Sequence, residues 1–362
     1  MTVLAVRAPL AWLGPGRVVE DAAVVMEGGR VLFAAPAAEL GVVAAAEGGE
    51  AERLSGRPAP PEPDEELRVD GFLMPGVVDR HVHIGLSDPV AVVAGGVTAV
   101  RDLAWPADVI LSLAEASESP SFQGPLVRAA GPMLTCPGGY PTRAGWAPRG
   151  TGLEVRGSEE AAAAARDLVA RGASVLKVAL NAEAGPTLSD EELVAICDVA
   201  HAEGTIVTAH VQGKGQAARA LGAGVDEFAH CPWSERLPDD LIRAAAKQAR
   251  IVSTLDILSF GRDTPELRTA TENLNRFLAA GGRVAYGTDL GNGPIPAGIH
   301  VGEATHLARA GLTGDQVLAA MTFRPLARGE PADLVVVAGS PLEDLDALGQ
   351  LQLVLRAGRR MN

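Results

Sequence analysis

Two histidines, His81 and His83, stand one residue apart at the end of an apolar run, GFLMPGVVDRHVHIG, residues 71–85. The run is typical of a turn followed by a buried strand, and side chains two residues apart on a strand point to the same face. Both imidazoles should therefore face one space. A packed core rarely accepts two such rings together, whereas imidazole is a common metal ligand. The spacing predicts a metal-binding position at the end of this strand.

Further polar residues end other strand-like segments of the chain: Lys177, His210, His230 and Asp289. Imidazole and carboxylate ligands suit zinc, with manganese, iron, nickel or cobalt as alternatives. A metal with an open coordination position lowers the pKa of its bound water to about 7. Asp289 is then placed both to ligate the metal and to take a proton from that water. The three remaining histidines lie on or next to helices. His201 is expected to be structural, and His300 and His306 are expected on helix surfaces, with a place in the site as the alternative for His300, which follows the loop after the eighth strand.

Lys177 is one of only three lysines and lies within the apolar segment SVLKVAL. A bare ammonium beside divalent ions would be repelled and would lose its charge. Reaction with carbon dioxide would convert the amine to an anionic carbamate that could bridge two metals. The alternative is a lysine that forms an ion pair with a neighbouring carboxylate.

Eight short apolar segments between residues 76 and 325 alternate with helix-like or loop segments: VVDRHVHI, VTAVRDL, PLVRAAGPML, SVLKVAL, TIVTAH, VDEFAH, RIVSTLDI and RVAYGTDL. This count predicts an α/β fold of the (β/α)8 TIM-barrel type, in which catalytic groups lie at the C-terminal ends of the strands. Strand-like segments also occur at both ends of the chain. We expect them to pair in a small β-sandwich made of residues 1–70 and 326–362, around a barrel of residues 71–325. Residues 36–66, rich in Pro, Gly and Glu, are expected to form a partly mobile loop.

Composition narrows the possible partners and the compartment. The net charge of −14 argues against a nucleic-acid-binding face, which needs clustered positive charge. No apolar run approaches the roughly 20 residues of a membrane span, and the N-terminus lacks a signal-peptide pattern. The three cysteines follow no disulfide or zinc-finger spacing. We expect a cytoplasmic protein with a small-molecule substrate, no nucleic-acid or membrane partner, and a homo-oligomeric state.

The ordered set HVH, LKV, TAH, FAH and GTDLGN resembles the metal-dependent amidohydrolase superfamily. It is most similar to the branch that contains imidazolonepropionase-like hydrolases and binuclear prolidase-type peptidases. Matching segments such as GGVTAVRDL, AGLTGDQVLAAMT and PADLVVVAGSPLEDL extend the resemblance over nearly the whole chain. The resemblance implies a barrel flanked by a β-sandwich from both termini. It also implies that Lys177 is carboxylated and bridges two metals, as in binuclear members, and that the remaining metal ligands are His81, His83, His210, His230 and Asp289.

The chain departs from this family at three places. The prolidase-like members tend to carry Gly-Gly-His after the third strand, whereas this chain has PGGYP with Tyr140 at that position. Deaminase members typically place a glutamate after the strand-5 histidine, whereas Gln212 follows His210 here and cannot shuttle a proton by changing charge. Only RGE links MTFRPLA to PADLVVV, so the connection from barrel to sandwich is short.

Residues 134–156 form a long Gly- and Pro-rich segment after the third strand, and long segments at this face are often lids. The candidate substrate contacts are Arg101, Tyr140, Arg143, Trp146 and Trp233, with a structural role as the alternative for Arg101. A carboxylate on the substrate would suit Arg143 and Arg149.

These observations predict a metal-dependent hydrolase, with two Zn²⁺ ions as the expected cofactor. The enzyme would cleave an amide, peptide or cyclic amide C–N bond with a metal-activated water, and Asp289 would serve as general base and acid. One alternative is a mononuclear deaminase or imidazolone-type ring-opening hydrolase on the same fold. An alternative of another class is a non-catalytic scaffold.

Overall fold

Strands from both ends of the chain form one eight-stranded sheet in the computed structural model, which describes residues 2–40 and 60–362. The sheet runs in the order β18-β17-β16-β5-β1-β2-β3, and β4 lies beside β1. The N-terminal part supplies five strands: β1 Leu4–Gly14, β2 Arg17–Glu27, β3 Arg30–Pro36, β4 Glu65–Arg68 and β5 Phe72–Pro75. The C-terminal part supplies β16 Leu334–Val337, β17 Leu351–Arg356 and β18 Arg359–Arg360. Both ends of the chain therefore share one sheet, so the terminal segments pair as predicted, but in the described residues they form a single sheet and not the two separate sheets of the expected sandwich.

The connection between β2 and β3 shows why the terminal segments pair. Gly28 and Gly29 both have positive φ angles, 56° and 76°, which glycine adopts without steric cost. This turn lets β2 and β3 pair antiparallel. The predicted mobile loop of residues 36–66 includes residues 41–59, which lie outside the described residues. The prediction of a loop was wrong for the last two residues of 36–66, because strand β4 begins at Glu65 and pairs parallel to β1.

The middle of the chain alternates parallel strands with helices. The strands are β6 Val77–Val82, β7 Val97–Asp102, β8 Leu126–Ala129, β9 Met133–Thr135, β10 Gly152–Glu154, β11 Leu176–Asn181, β12 Val207–Gln212, β13 Glu227–Phe228, β14 Arg250–Val252 and β15 Arg283–Ala285. The helices are α1 Pro89–Ala94, α2 Ala107–Ser117, α3 Gly157–Ala170, α4 Asp190–Ala202, α5 Gln216–Gly222, α6 Asp239–Gln248, α7 Pro265–Ala279, α8 Val301–Arg309 and α9 Gly314–Met321. Each of the eight predicted strand segments contains a parallel strand, and the third is divided into β8 and β9.

Hydrogen bonds group these strands into two parallel sheets, β6-β7-β8 and β10-β9-β11-β12-β13-β14-β15. At the edge formed by β8 and β11, one backbone hydrogen bond connects the sheets, from Ser174 N to Ala129 O. At the other edge, β6 and the segment that includes and follows β15 form three, from Arg80 N to Tyr286 O, from Asp289 N to His81 O and from His83 N to Leu290 O at 2.7 Å. The expected continuous barrel ladder is therefore not formed among the described residues. The alternation of parallel strands and helices is nevertheless that of a TIM-barrel-type α/β fold.

Strand β11 shows how the fold directs a polar residue inward. All six of its residues are buried, as expected for a parallel strand covered on both faces. Leu176, Val178 and Leu180 belong to the large core shared with the helices. Because side chains alternate along a strand, Lys177 points to the opposite face. None of the helices in the described residues is long and apolar enough to cross a membrane.

Candidate metal centre

Four histidines and one aspartate meet in a cavity of about 140 Å³ at the C-terminal ends of the parallel strands. His81 lies in β6 and His83 directly after it, His210 lies in β12, and His230 and Asp289 follow β13 and β15. Each is at most 6% exposed. One ligand atom from each of His81, His230 and Asp289 lies within 4.8 Å of the others. Residues separated by more than 200 positions in sequence thus present potential metal ligands to one small space.

His81 is held with its Nε2 atom facing the cavity. Its Nδ1 lies 2.6 Å from the carbonyl oxygen of Ala229, and since a carbonyl can only accept, Nδ1 carries the proton. In the neutral ring Nε2 then carries a lone pair, which faces Asp289 Oδ1 at 3.5 Å. This buried nitrogen has no hydrogen-bond partner among the described residues. Two atoms that carry lone pairs and face each other in a buried site are stabilised by a cation between them.

The other imidazoles are oriented by partners outside the cavity. His83 Nδ1 donates to Ala104 O at 3.2 Å, and His230 Nδ1 is hydrogen-bonded to Thr254 Oγ1 at 2.8 Å. His210 Nε2 lies 3.3 Å from Gln212 Oε1, within a network that continues to Glu183. Such outer partners fix the ring orientation of metal-binding histidines and raise their basicity.

Burial sets the protonation of most of these rings. Desolvation, followed by the charge of Lys177, lowers the pKa of His81 well below its usual value and lowers that of His210 to about 3. Desolvation and the neighbouring imidazole of His210 likewise lower the pKa of His230. Burial also acts to lower the pKa of His83, but the hydrogen bond and charge of Asp289 outweigh it and raise the pKa. Three of the four rings are therefore neutral at pH 7, the form that binds metals.

Lys177 is completely buried beneath the cavity, and its Nζ atom has no hydrogen-bond partner among the described residues. Burial lowers its pKa to about 7, opposed by the carboxylate of Asp289. The alternative of an ion-paired lysine is not observed in the described part of the chain. Burying a neutral amine without a hydrogen-bond partner costs free energy. We therefore expect a further chemical group to contact Nζ of Lys177.

Two residues beside the cavity adopt backbone conformations that non-glycine residues seldom use. Asp289 has a φ of 61° and Thr254 a φ of 41°. The Thr254 conformation is an outlier because its side chain is β-branched, and such strained residues cluster at functional sites. Asp289 is kept in place by its N–H, which donates to His81 O at 2.8 Å, and by Asn292 Nδ2, which donates to its Oδ1 at 2.9 Å.

The walls of the cavity are largely apolar or aromatic. Tyr140 stacks on His210 with ring centroids 5.1 Å apart, and Trp146 donates from Nε1 to Tyr140 Oη. Trp233 packs edge-on against His210 and His230. Three apolar lining residues were not predicted from the sequence: Met133, Ile257 and Leu258. The long segment after β8 thus contributes Tyr140 to the cavity, and Trp146 packs behind it on His83.

The arginines proposed from sequence lie elsewhere. Arg101 is buried in an ion pair with Glu227 and donates from Nε to Arg80 O at 3.0 Å, which is the structural alternative considered for it. Arg143 and Arg149 are exposed. None of these arginines lines the metal-centre cavity within the described residues.

Asp256 supports the wall that carries Ile257 and Leu258. Its carboxylate accepts hydrogen bonds from His300 Nε2 at 2.7 Å and His306 Nε2 at 3.1 Å. The expectation that both histidines lie on helix surfaces was wrong, because His306 is only 6% exposed and His300 is half-buried. The two imidazoles therefore have a structural role in fixing the turn at Asp256.

An Asp256→Asn variant is expected to lose about 1–3 kcal/mol of unfolding free energy at pH 7, since the network loses its negative charge and one of its two acceptor oxygens. Hydrogen bonds from His300 and His306 hold the pKa of Asp256 well below its usual value. Its stabilisation is therefore complete above the unfolded pKa of about 4 and declines as pH falls further. The deficit of the variant, measured by urea unfolding, should shrink below about pH 4. Asp263→Asn, which breaks an exposed pair with Arg268, should change stability by less than about 0.5 kcal/mol; equal losses would contradict the anchoring role.

Comparison with known sequences identifies relatives over most of the chain. The sequence profile described as "Amidohydrolase family" matches residues 72–361. An uncharacterized protein of Mycobacterium tuberculosis (strain H37Rv) is 27% identical over 326 residues, which cover 80% of this chain and 85% of that protein. An uncharacterized protein of Mycobacterium bovis matches to the same extent.

Solved structures share the fold over almost the full length. The A. niger ochratoxinase has a TM-score of 0.79 and 21% identity, with 99% of this chain and 95% of that chain covered. A Xaa-Pro dipeptidase with bound methionine has a TM-score of 0.78 and 20% identity, covering 99% of both chains. A prolidase complexed with N-methylphosphonate-L-proline has a TM-score of 0.75 and 23% identity, again covering 99% of both. At these identities the likeness concerns the fold alone.

Proposed function

The chain belongs to the amidohydrolase family, and from this premise we propose that it is a metal-dependent hydrolase that cleaves an amide, peptide or cyclic amide C–N bond. One observation carries the proposal. Within the described part of the chain, the buried atoms His81 Nε2 and Lys177 Nζ have no hydrogen-bond partner, and they lie among neutral imidazoles and a carboxylate. A site of this donor composition suits divalent zinc, manganese, iron, nickel or cobalt.

We assign the ligands as two sets joined by a bridge. His81, His83 and Asp289 would hold one ion, and His210 and His230 would hold the second. Lys177, carboxylated at its amine, would lie between them, which gives its unpartnered nitrogen a role. A ligand atom of His230 lies close to ligand atoms of His81 and Asp289, so the two proposed ligand sets are adjacent. When bound, such ions lower the pKa of water and polarise a carbonyl group.

Asp289 performs the proton transfers in this proposal. As a water oxygen adds to the scissile carbonyl carbon, the Asp289 carboxylate accepts the water proton. The same carboxyl group then donates that proton to the leaving nitrogen as the C–N bond breaks, so that an acid and an amine are formed. The hydrogen bond from Asn292 and the strained backbone at Asp289 hold the carboxylate in the orientation that both transfers need.

The cavity walls favour a substrate whose reacting end is uncharged and apolar. Met133, Ile257, Leu258 and Trp233 line the space next to the histidines, and Tyr140 can donate a hydrogen bond to the substrate. A volume of about 140 Å³ admits the group around the scissile bond, so the rest of the substrate extends toward the Tyr140 and Trp146 segment. The structural likeness to a Xaa-Pro dipeptidase supports an amide bond as the bond cleaved.

The first experiment combines a hydrolysis screen with metal removal. Purified protein should release amines from N-acyl amino acid amides, lose this activity after treatment with a chelator, and regain it on addition of Zn²⁺ or Mn²⁺. The neutral amides should be cleaved faster than the corresponding free acids, because none of the described residues that line the cavity is an arginine that could pair with a carboxylate.

Two results would count against the proposal. Hydrolysis that survives complete metal removal would refute metal dependence. Faster cleavage of the acids would refute the apolar substrate end and return Arg143 and Arg149 to consideration as carboxylate contacts.

A further inference from the structure

A second cavity, of about 610 Å³, lies at the opposite end of the parallel strands from the histidines. Its lining includes the first or second residues of several strands: Val78 of β6, Thr98 of β7, Leu126 of β8 and Arg250 of β14. Its size is within the range of small-molecule sites. Nothing in the proposed hydrolysis uses this space.

The lining of this cavity is rich in arginine. Six of its residues are arginines, whereas one is acidic, Asp333. The chain as a whole carries a net charge of −14, so this concentration of positive charge runs against the overall composition. The arginines are Arg30, Arg80, Arg101, Arg128, Arg250 and Arg324.

Two of the three inner guanidinium groups, those of Arg101 and Arg250, share a single carboxylate, and the third, that of Arg80, pairs with none in the described residues. Glu227 is fully buried and pairs with both Arg101 and Arg250. Arg80 forms no ion pair among the described residues and donates instead to two main-chain oxygens, Ala320 O and Thr322 O, each at 2.9 Å. Burial, followed by the positive charges of Arg101 and Arg250, lowers the pKa of Arg80 to about 10. The cavity therefore holds positive charge that its own carboxylates do not balance.

The outer arginines can exchange their present carboxylate partners for a bound anion. Arg128 pairs with Glu118, and Arg324 pairs with Glu330 at 3.0 Å, both near the surface. Such exposed pairs contribute little free energy, so a better anion can displace them at low cost. Burial raises the pKa of Asp333, whose Oδ1 accepts a hydrogen bond from Ala357 N at 2.6 Å.

Phe323 adds an apolar contact at the same place. It is 65% exposed, unusual for a phenylalanine, and lies in the cavity lining. The guanidinium carbons of Arg80 and Arg324 are 5.7 Å and 5.2 Å from its ring centroid. Apolar side chains, Leu126, Ile206 and Leu326, line the neighbouring wall. The cavity thus places positively charged guanidinium groups next to apolar side chains.

We propose that this cavity binds a small organic anion, with its carboxylate or phosphate group held by Arg80 and Arg324 and its apolar body packed against Phe323. Guanidinium groups match the geometry of both anions. The proposal is independent of the hydrolase function, since it depends on residues that the metal centre does not use.

Calorimetric titration of the full-length, metal-loaded protein with phenyl phosphate and with benzoate tests the proposal, and benzyl alcohol serves as the neutral analogue. At least one anion should bind saturably, and the alcohol should not. Arg80→Gln and Arg324→Gln should each weaken binding about tenfold or more, because each removes one charged hydrogen-bond donor. Arg309→Gln, at an exposed arginine that ends α8 outside the cavity, should bind like the wild type. The better anion identifies the chemical group of the ligand.

The result can also overturn the proposal. If neither anion binds saturably, the cavity is not an anion site. If binding persists in both arginine variants but disappears in His230→Ala, the anion occupies the metal centre instead. Should Arg80→Gln fail to fold, Arg324→Gln decides, because Arg324 is largely exposed and its replacement leaves the interior unchanged.

Discussion

An Asp289→Asn variant is expected to lose about 10²–10⁴-fold in kcat, the usual effect of removing a general acid–base group. Asparagine has nearly the same shape and can still contact His83 and Asn292, but it can neither accept nor return the proton of the attacking water. The measurement is the hydrolysis rate of the best amide from the screen, with metal content determined on the same sample. Activity must be expressed per metal-loaded site, since Asp289 is also assigned as a ligand.

The matched control for Asp289 is Asn292→Ala. Asn292 donates one hydrogen bond to Asp289 Oδ1 and leaves the carboxylate in place. Its replacement should lower kcat much less, because proton transfer remains possible from a less well-held group. A fully loaded Asp289→Asn protein with wild-type kcat would show that another group moves the proton, and Asp289 would then be a ligand only.

The positions at the metal centre were predictable because they depend on local rules. Alternation along a strand brings His81 and His83 to one region, and parallel strands place His210 and His230 at the same end. The first rule operates within one strand and the second follows from the parallel order of the strands, so a single sequence is enough to apply both. The structure buries His81, His83, His210, His230 and Asp289 around one cavity, and their role as metal ligands is the proposal that the metal-content measurements test.

The walls of the cavity could not be predicted in the same way. Ile257 and Leu258 reach it because Asp256 is fixed by two histidines from the segment around α8, a contact across more than 40 residues. Arg101 illustrates the opposite case. It lies near the C-terminal end of β7, where sequence favours an active-site role, but its long side chain pairs with Glu227, the first residue of β13. The length of a side chain and the packing between distant segments decide where these side chains lie. Neither can be predicted from the spacing of residues in the sequence.

A Lys177→Ala variant is expected to bind about one metal equivalent per chain or less, compared with about two for the wild type. The proposed carbamate forms when the neutral amine adds to carbon dioxide and loses a proton, giving an anionic group that can bridge two cations. Burial favours this reaction because it lowers the pKa of Lys177 to about 7, so that much of the amine is unprotonated at neutral pH. Alanine removes the bridge and leaves the histidines unchanged. Elemental analysis of protein purified without chelator or added metal measures the difference.

The other lysines provide the control that makes this measurement specific. Lys247 is exposed on α6, so Lys247→Ala should retain the wild-type metal content and activity. Wild-type protein in ¹³C-bicarbonate should also show a carbamate carbon signal that Lys177→Ala lacks and Lys247→Ala keeps. One metal per chain in the wild type, with the same content and full activity in Lys177→Ala, would contradict the bridge. The mononuclear deaminase or ring-opening chemistry would then account better for the histidine cluster, and the unpartnered Lys177 nitrogen would need another explanation. A drop from two metal equivalents to one, with loss of the carbamate carbon signal, would instead show that this buried amine carries the bridge, which accounts for the lack of a hydrogen-bond partner among the described side chains.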